Sequence, residues 1–306
     1  MIKKKSIILI SIILVFLLIL ILLKPNNPQP QPLNQINCIN SSTQLGLETT
    51  DLSRDLQNIL LLQANSIRIP LRWQEIEPAK DNYDFSKTDN IISLAEKNNL
   101  SILFSLITVS NWATQQSPIK QGNYLSSSMP TNISEWNELL EILIKRYSNS
   151  SIQISYEINN EVNAKAFWSS DIKNYTLLLQ ESYKTIKLVN PSTKVVSSAL
   201  ACGITQDIKN QDQAKALEIL KSDSREIIKT NAYDILAIHD YYFPDKKINN
   251  INFELYLKEI LNIMSQENIQ KPIWITEFGY TSKDEHIGSR LDKSNQVLQA
   301  SRLIQS

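Results

Sequence analysis

Two stretches of the chain carry residues that could do acid–base chemistry. One is YEINNEVN at 156–163, with two acids and three asparagines, and the other is IWITEFGY at 273–280, with Glu277 inside an apolar run. An acid in such a run costs several kcal/mol to bury unless it is paired or functional. Glu161 and Glu277 are separated by 277 − 161 = 116 residues, so only the fold could bring them together.

Two carboxylates that face each other suit the cleavage of a glycosidic bond. One protonates the departing oxygen, while the other either attacks the anomeric carbon or activates water. Closely placed carboxylates disfavour simultaneous ionisation, which lets one hold a proton while the other stays charged. We therefore take Glu161 and Glu277 as the candidate catalytic pair.

Further candidates supply the groups that would hold a sugar and orient the carboxylates. Aromatic faces stack on sugar rings, amides and imidazoles bind hydroxyls, and an arginine or a tyrosine hydroxyl could hold the ionised carboxylate. The candidate substrate-binding residues are Arg68, Trp112, Asn160, Trp168, His239 and Tyr241. Trp112 and Trp168 are equally consistent with loop packing, and His239 with a satisfied core histidine beside a packing tyrosine. Glu157 shares a strand face with Glu161 by period two, and we expect it to be a structural acid paired with Arg68.

The elements that must position these residues alternate between short apolar runs and amphipathic helical patterns. The predicted strands are 35–40, 66–73, 101–109, 151–158, 194–200, 235–242 and 272–278. The predicted helices lie near 53–63, 88–98, 135–147, 172–188, 213–229, 252–268 and 292–305. Such alternation indicates parallel strands joined by right-handed crossovers. The prediction is an α/β fold, a (β/α)8-type TIM barrel whose eighth β/α unit is missing from this chain, and we expect the chain to be a fragment.

Four stretches together resemble the clan A glycoside hydrolases, retaining enzymes such as cellulases, β-xylosidases and β-galactosidases. They are RIPLRWQEIEPAKDNYDF at 68–85, NEVN at 160–163, IHDYY at 238–242 and IWITEFGY at 273–280. They occur in the family's order, and the likeness runs from about residue 45 to 300. The resemblance implies that Glu161 is the acid/base and Glu277 the nucleophile. It also implies that Asn160 binds the sugar 2-hydroxyl and that Tyr241 orients Glu277.

Composition excludes several other classes of function. The 306 residues include 31 basic and 31 acidic side chains, so net charge favours no nucleic-acid partner. No glycine-rich phosphate loop is present. Cys38 and Cys202 lack metal-ligand spacing and only two histidines occur, so we expect no metal centre and no organic cofactor. We expect the two thiols to be unpaired, with a disulfide as the alternative outside the cytoplasm.

The N-terminus predicts attachment to a membrane. MIKKK precedes an uncharged, almost wholly apolar run at 6–23, barely long enough to span a bilayer as a helix. The lysines place that end inside. We expect an anchor at 1–24, a Pro/Asn/Gln-rich linker at 25–35 and an extracytoplasmic barrel domain at 36–306. A cleaved signal peptide and a secreted protein are the alternative.

The sequence thus predicts a retaining glycoside hydrolase that acts on oligo- or polysaccharides with β-linkages. The first rival is a non-catalytic glycan-binding barrel tethered to the membrane. The second is a metal-dependent barrel enzyme with Glu161, His239 and Glu277 as ligands, although the shortage of histidines argues against it.

Overall fold

The structure is a computed structural model that describes residues 38–40, 56, 59–60, 64–116, 118, 120–121, 124–201, 213–242 and 253–280. The predicted anchor (1–24), linker (25–35) and last helix (292–305) lie outside these residues. Residues 56, 59 and 60 are helical, within the first predicted helix. Among the described residues, no helix combines the length and the apolar character needed to cross a membrane.

Nine strands and six helices are described. The strands are β1 (Cys38–Asn40), β2 (Ser66–Arg72), β3 (Ser101–Ile107), β4 (Lys120–Gln121), β5 (Tyr124–Leu125), β6 (Ile154–Ile158), β7 (Lys194–Val196), β8 (Leu236–Tyr242) and β9 (Ile273–Tyr280). The helices are α1 (Trp73–Ile76), α2 (Ser86–Lys97), α3 (Ile133–Tyr147), α4 (Ile172–Val189), α5 (Gln213–Thr230) and α6 (Phe253–Gln266).

Seven of these strands follow one another in parallel, as a TIM-type barrel requires. One sheet has the order β1-β2-β3-β6-β7, and β8 pairs with β9 in a second sheet. A parallel bridge between Val196 and Ile235 links β7 to the start of β8. β4 and β5 form a small antiparallel hairpin in the loop after β3. The predicted α/β class and TIM-type barrel are confirmed, with seven barrel strands in the part of the chain that the structure describes.

The helices bury one face each against this sheet. In α3, the buried residues Trp136, Leu139, Leu140, Leu143 and Ile144 recur at the spacing of one helical face. The helix begins after Asn132, whose side chain accepts a hydrogen bond from the backbone N–H of Ser134. The core on this side is therefore built from helix stripes packed against the outer faces of the strands.

The inside of the barrel contains a cluster of polar and charged side chains. Arg68 on β2, Ser105 on β3, Glu157 on β6, His239 on β8 and Thr276 on β9 are all buried. A buried charge is tolerated only where partners compensate its lost hydration. The interior side chains therefore need each other, and their mutual contacts define the site.

Most predicted elements recur with shifted ends, and β7 differs the most. It ends at Val196 rather than residue 200, because the Ser197 hydroxyl oxygen accepts a hydrogen bond from the backbone N–H of Ala237. A side chain thus takes the place of a ladder bond. The α1 helix and the β4–β5 hairpin were not predicted, since elements of four and two residues are too short to show a periodic pattern.

Candidate active site

Glu161 lies just past the C-terminal end of β6, where the backbone turns sharply. Asn159 and Glu161 both have left-handed φ values, 61° and 44°. Asparagine tolerates this region, whereas it is uncommon for glutamate and is often found at functional sites. The turn directs the Glu161 side chain to the mouth of the barrel, where it is 12% exposed.

Glu277 reaches the same place from β9 through a β-bulge. Ile238 pairs with Ile275, but the next residue of β8, His239, pairs with Glu277, so Thr276 is the extra residue. A bulge re-aims side chains. Here the bulge lets both Thr276 and Glu277 face the interior. The Thr276 hydroxyl donates to Glu157 Oε1 at 3.4 Å, and Glu277 contacts Arg68.

The two carboxylates and one imidazole meet at the mouth. A carboxylate oxygen of Glu161, a ring nitrogen of His239 and a carboxylate oxygen of Glu277 all lie within 4.8 Å of one another. His239 Nδ1 is 2.8 Å from Glu161 Oε1, and its Nε2 is 3.7 Å from Glu277 Oε1. The predicted facing pair of glutamates is therefore present, with His239 in contact with both.

Arg68 connects the deeper acid to the mouth. Its Nε donates to Glu157 Oε2 at 2.7 Å, and its terminal nitrogens donate to Glu277 Oε1 and, at 2.8 Å, to Asn160 Oδ1. Arg68 is 2% exposed and Glu157 is 0% exposed. Burial would lower the pKa of Arg68, but Glu157 and Glu277 outweigh it and raise that pKa. The guanidinium therefore stays charged and holds one side of Glu277.

The charge of His239 is set by the same carboxylates. Burial alone would lower the pKa of His239, yet the nearby Glu277 and the hydrogen bond to Glu161 together raise it above its usual value. The protonated ring donates its Nδ1–H to Glu161. His239 thus adds a positive charge between the two acids over a wider pH range than a free imidazole would.

The remaining predicted site residues fare differently. Trp112 is partly buried, meets Trp73 edge to face and donates its Nε1–H to the Glu77 carbonyl at 3.0 Å. Trp168 is 0% exposed and packs edge to face on Tyr175, so the prediction that it contacts substrate is corrected to loop packing. The Tyr241 side chain lies outside what the structure describes, and its role stays a prediction.

Some contacts around the site were not predicted. The Asn163 side chain pairs with the backbone of Ala201, donating to its carbonyl at 3.2 Å and accepting from its N–H at 2.8 Å. Ser105 Oγ accepts from Arg68 at 3.4 Å. The register between β2 and β3, which places Arg68 beside Leu103, is a tertiary feature that no local pattern reveals.

The three side chains at the mouth also form a donor set that a cation could bind. Glu161, His239 and Glu277 offer two carboxylates and an imidazole, a set that zinc accepts. Arg68 pairs with Glu277, and His239 contacts Glu161, so each acid has a protein partner. The arrangement therefore suits proton transfer and nucleophilic attack.

Comparison with known proteins gives a family match over most of the chain. Residues 31–304 match the model of the family described as Cellulase (glycosyl hydrolase family 5). No curated protein is similar enough in sequence to count as a match.

Solved structures share the fold at low sequence identity. A family 39 glycoside hydrolase from Bacteroides cellulosilyticus WH2 is 21% identical, with a TM-score of 0.54, over 81% of this chain and 49% of its own. A family 39 beta-xylosidase from Caulobacter crescentus is 16% identical, with a TM-score of 0.61, over 88% of this chain and 57% of its own. A glycosylated endo-beta-1,4-xylanase from Gloeophyllum trabeum is 14% identical, with a TM-score of 0.53, over 87% of this chain and 77% of its own. The chain thus spans about half the length of the first two structures.

Proposed function

The chain belongs to the cellulase family, glycosyl hydrolase family 5, and from that membership we propose that it hydrolyses O-glycosidic bonds of β-linked glycans by double displacement with retention. Its substrate would be an oligo- or polysaccharide. Glu277 would be the nucleophile and Glu161 the acid/base.

The observation that carries the proposal is the short distance between the two acids. An oxygen of Glu161 and an oxygen of Glu277 lie within 4.8 Å. Retaining enzymes hold their carboxyl groups about 5–5.5 Å apart, whereas inverting enzymes need about 6.5–9.5 Å to admit water between carboxylate and sugar. The spacing favours direct attack by a carboxylate.

The contacts suit the two steps of this reaction. In the first, Glu277 attacks the anomeric carbon while Glu161 gives its proton to the departing oxygen. In the second, Glu161 takes a proton from water, and that water releases the sugar from Glu277. Arg68 pairs with Glu277 and so orients the nucleophile, and His239 Nδ1 lies 2.8 Å from Glu161 Oε1 and so orients the acid/base.

Asn160 would bind the sugar beside the nucleophile. Its Oδ1 accepts from Arg68, and an amide oriented in this way offers its nitrogen as a donor. The family resemblance assigns that donor to the sugar 2-hydroxyl. Trp112, at the edge of the loop after β3, would supply an aromatic face for a neighbouring ring.

Replacing the nucleophile separates an enzyme from a non-catalytic glycan-binding barrel. We expect Glu277→Ala to abolish hydrolysis of an aryl β-glycoside while calorimetry still detects binding of a β-linked oligosaccharide. The control is Glu254→Ala, on the exposed side of α6, which should hydrolyse normally. Failure of the unmodified protein to turn over any aryl β-glycoside would refute the proposal. Activity that a chelator removes and zinc restores would favour the metal-dependent rival.

Attachment to a membrane remains part of the proposal on sequence grounds alone. The apolar run at 6–23 and its flanking lysines support an N-terminal anchor with the barrel domain outside the cytoplasm. Expression of the whole chain followed by alkaline extraction of membranes tests it. Release of the protein into the soluble fraction would favour the secreted alternative.

A further inference from the structure

The turn that carries Glu161 is held by a hydrogen-bonded pair that lies outside the catalytic machinery. Asn159 directly follows β6 and Thr108 directly follows β3, and the two strands are neighbours in the sheet. Both residues are 0% exposed. The buried contact between them therefore joins the loops that follow two adjacent strands.

The Asn159 side chain replaces the ladder bonds that the backbone gives up at the turn. The backbone N–H of Asn159 still donates to the Leu106 carbonyl at 2.8 Å. Its Oδ1 accepts from the Thr108 backbone N–H at 3.1 Å, and its Nδ2 donates to Thr108 Oγ1 at 3.2 Å. The amide thus makes two reciprocal bonds with Thr108 and extends the pairing of β3 with β6 by one residue.

Thr108 is itself fixed, so the pair is anchored on both sides. Its hydroxyl donates to the Ser128 carbonyl at 2.9 Å. Ser127 precedes Ser128, and its backbone carbonyl accepts from the N–H of Ser169 at 2.8 Å. The backbone N–H of Ser127 donates to the Phe167 carbonyl at 2.7 Å. The loop after β3 is therefore tied at two places to the loop that follows Glu161.

The backbone beyond Asn159 needs this support. Asn159 and Glu161 both take left-handed φ values within three residues, and a glutamate holds such a conformation only where its surroundings enforce it. Asparagine suits the first position because it tolerates the left-handed region and bonds through its amide. A single side chain therefore sets both the direction of the turn and its attachment to β3.

We propose that Asn159 is the positioning residue for the proton donor Glu161, acting through its two hydrogen bonds to Thr108. The inference rests on the proposed function, because it assumes that Glu161 protonates the leaving group. Loss of the pair would let the turn relax and move the Glu161 carboxyl away from the glycosidic oxygen. Arg68 holds both Glu277 and Asn160, so these two residues would keep their places.

The test compares two aryl glycosides of the same sugar, of which only one has a leaving group that must be protonated. Dinitrophenolate is a weak base and departs from its β-glycoside without being protonated. Phenolate is a stronger base, and its departure from the phenyl β-glycoside of the same sugar needs a proton from the general acid. For Asn159→Ala we expect kcat/KM to fall by about ten- to a hundred-fold with the phenyl glycoside, a part of what general acid catalysis contributes, and to stay within about threefold with the dinitrophenyl glycoside. Because kcat/KM for both substrates scales with the folded fraction, the ratio of the two values is independent of any loss of folded protein.

Three further variants sharpen the result. Asn159→Asp keeps the acceptor for the Thr108 N–H. Its ratio of kcat/KM values for the two substrates should lie between the ratios of the unmodified protein and of Asn159→Ala. Thr108→Val removes only the hydroxyl and should show the same substrate-dependent loss in milder form. Thr88→Val alters a buried threonine of α2 outside the described site and should leave the ratio unchanged. Equal losses on both substrates for Asn159→Ala and Thr108→Val, or no loss on either, would overturn the proposal.

Glu161→Gln, measured in parallel, separates this inference from the function on which it rests. A selective loss with the phenyl glycoside in Glu161→Gln but not in Asn159→Ala would remove only the positioning role. An equal loss on both substrates in Glu161→Gln would remove Glu161 as the acid, and the inference with it.

Discussion

Glu157 is the anchor of the charged side chains inside the barrel, and its removal is the sharpest test of the site's architecture. It is fully buried, and it bonds Arg68 Nε at 2.7 Å and is approached by the Thr276 hydroxyl at 3.4 Å. Glu157→Gln removes the charge at nearly constant volume. Breaking a buried ion pair costs about 3–5 kcal/mol, and we expect the lower end because Glu277 still balances Arg68.

That loss of stability should be visible in thermal unfolding. A loss of about 3 kcal/mol corresponds to a fall in Tm of about 6–12 °C for a domain of this size, since each kcal/mol shifts Tm by about 2–4 °C. Differential scanning calorimetry would measure it. The control is Glu254→Gln, whose exposed carboxylate pairs with Lys258 one helical turn away and which should leave Tm unchanged. A Tm for Glu157→Gln equal to that of the control would refute the idea that Glu157 holds Arg68.

Three other perturbations address the histidine, the aromatic rim and a helix cap. The pKa of His239 is raised in the folded protein, so its protonation stabilises the fold below the unfolded-state pKa of about 6.5, and this stability is lost as pH rises through the folded-state pKa. Urea unfolding at several pH values should show that decline in the free energy of unfolding of the unmodified protein. The decline should be absent from His239→Gln. Trp112→Ala should raise KM for an oligosaccharide more than for an aryl monoglycoside, and equal KM values in both proteins would exclude a sugar platform. Asp171 caps α4 by accepting from the Asn174 N–H at 2.8 Å, so Asp171→Ala should cost about 1 kcal/mol of unfolding free energy, and an unchanged urea midpoint would contradict the cap.

The sequence was sufficient for those parts of the site that follow from strand order and period two. Parallel strands in chain order place the ends of β6 and β9 at the same mouth, which is why Glu161 and Glu277 could be paired across 116 residues, 277 − 161. Period two placed Glu157 inside the barrel, and its pairing with Arg68 is confirmed.

Features that depend on tertiary register were beyond prediction. The bulge that sets His239 opposite Glu277 rather than Thr276 breaks period two, so no alternation pattern contains it. Trp168, which packs on Tyr175 of α4, also forms a bridge with Ser127, a contact between two loops whose relative placement only the fold determines. The bonds between Asn159 and Thr108 join residues 51 apart in sequence and are visible only once β3 and β6 are paired.

The stereochemistry of hydrolysis tests the central claim most directly. An aryl β-glycoside should be hydrolysed in an NMR tube by the unmodified protein, and the anomer of the first sugar released should be observed before mutarotation mixes the two forms. With Glu161 and Glu277 oxygens within 4.8 Å, double displacement predicts that the β-anomer appears first. Initial release of the α-anomer would contradict the account, because it would mean that water, not Glu277, attacks the anomeric carbon.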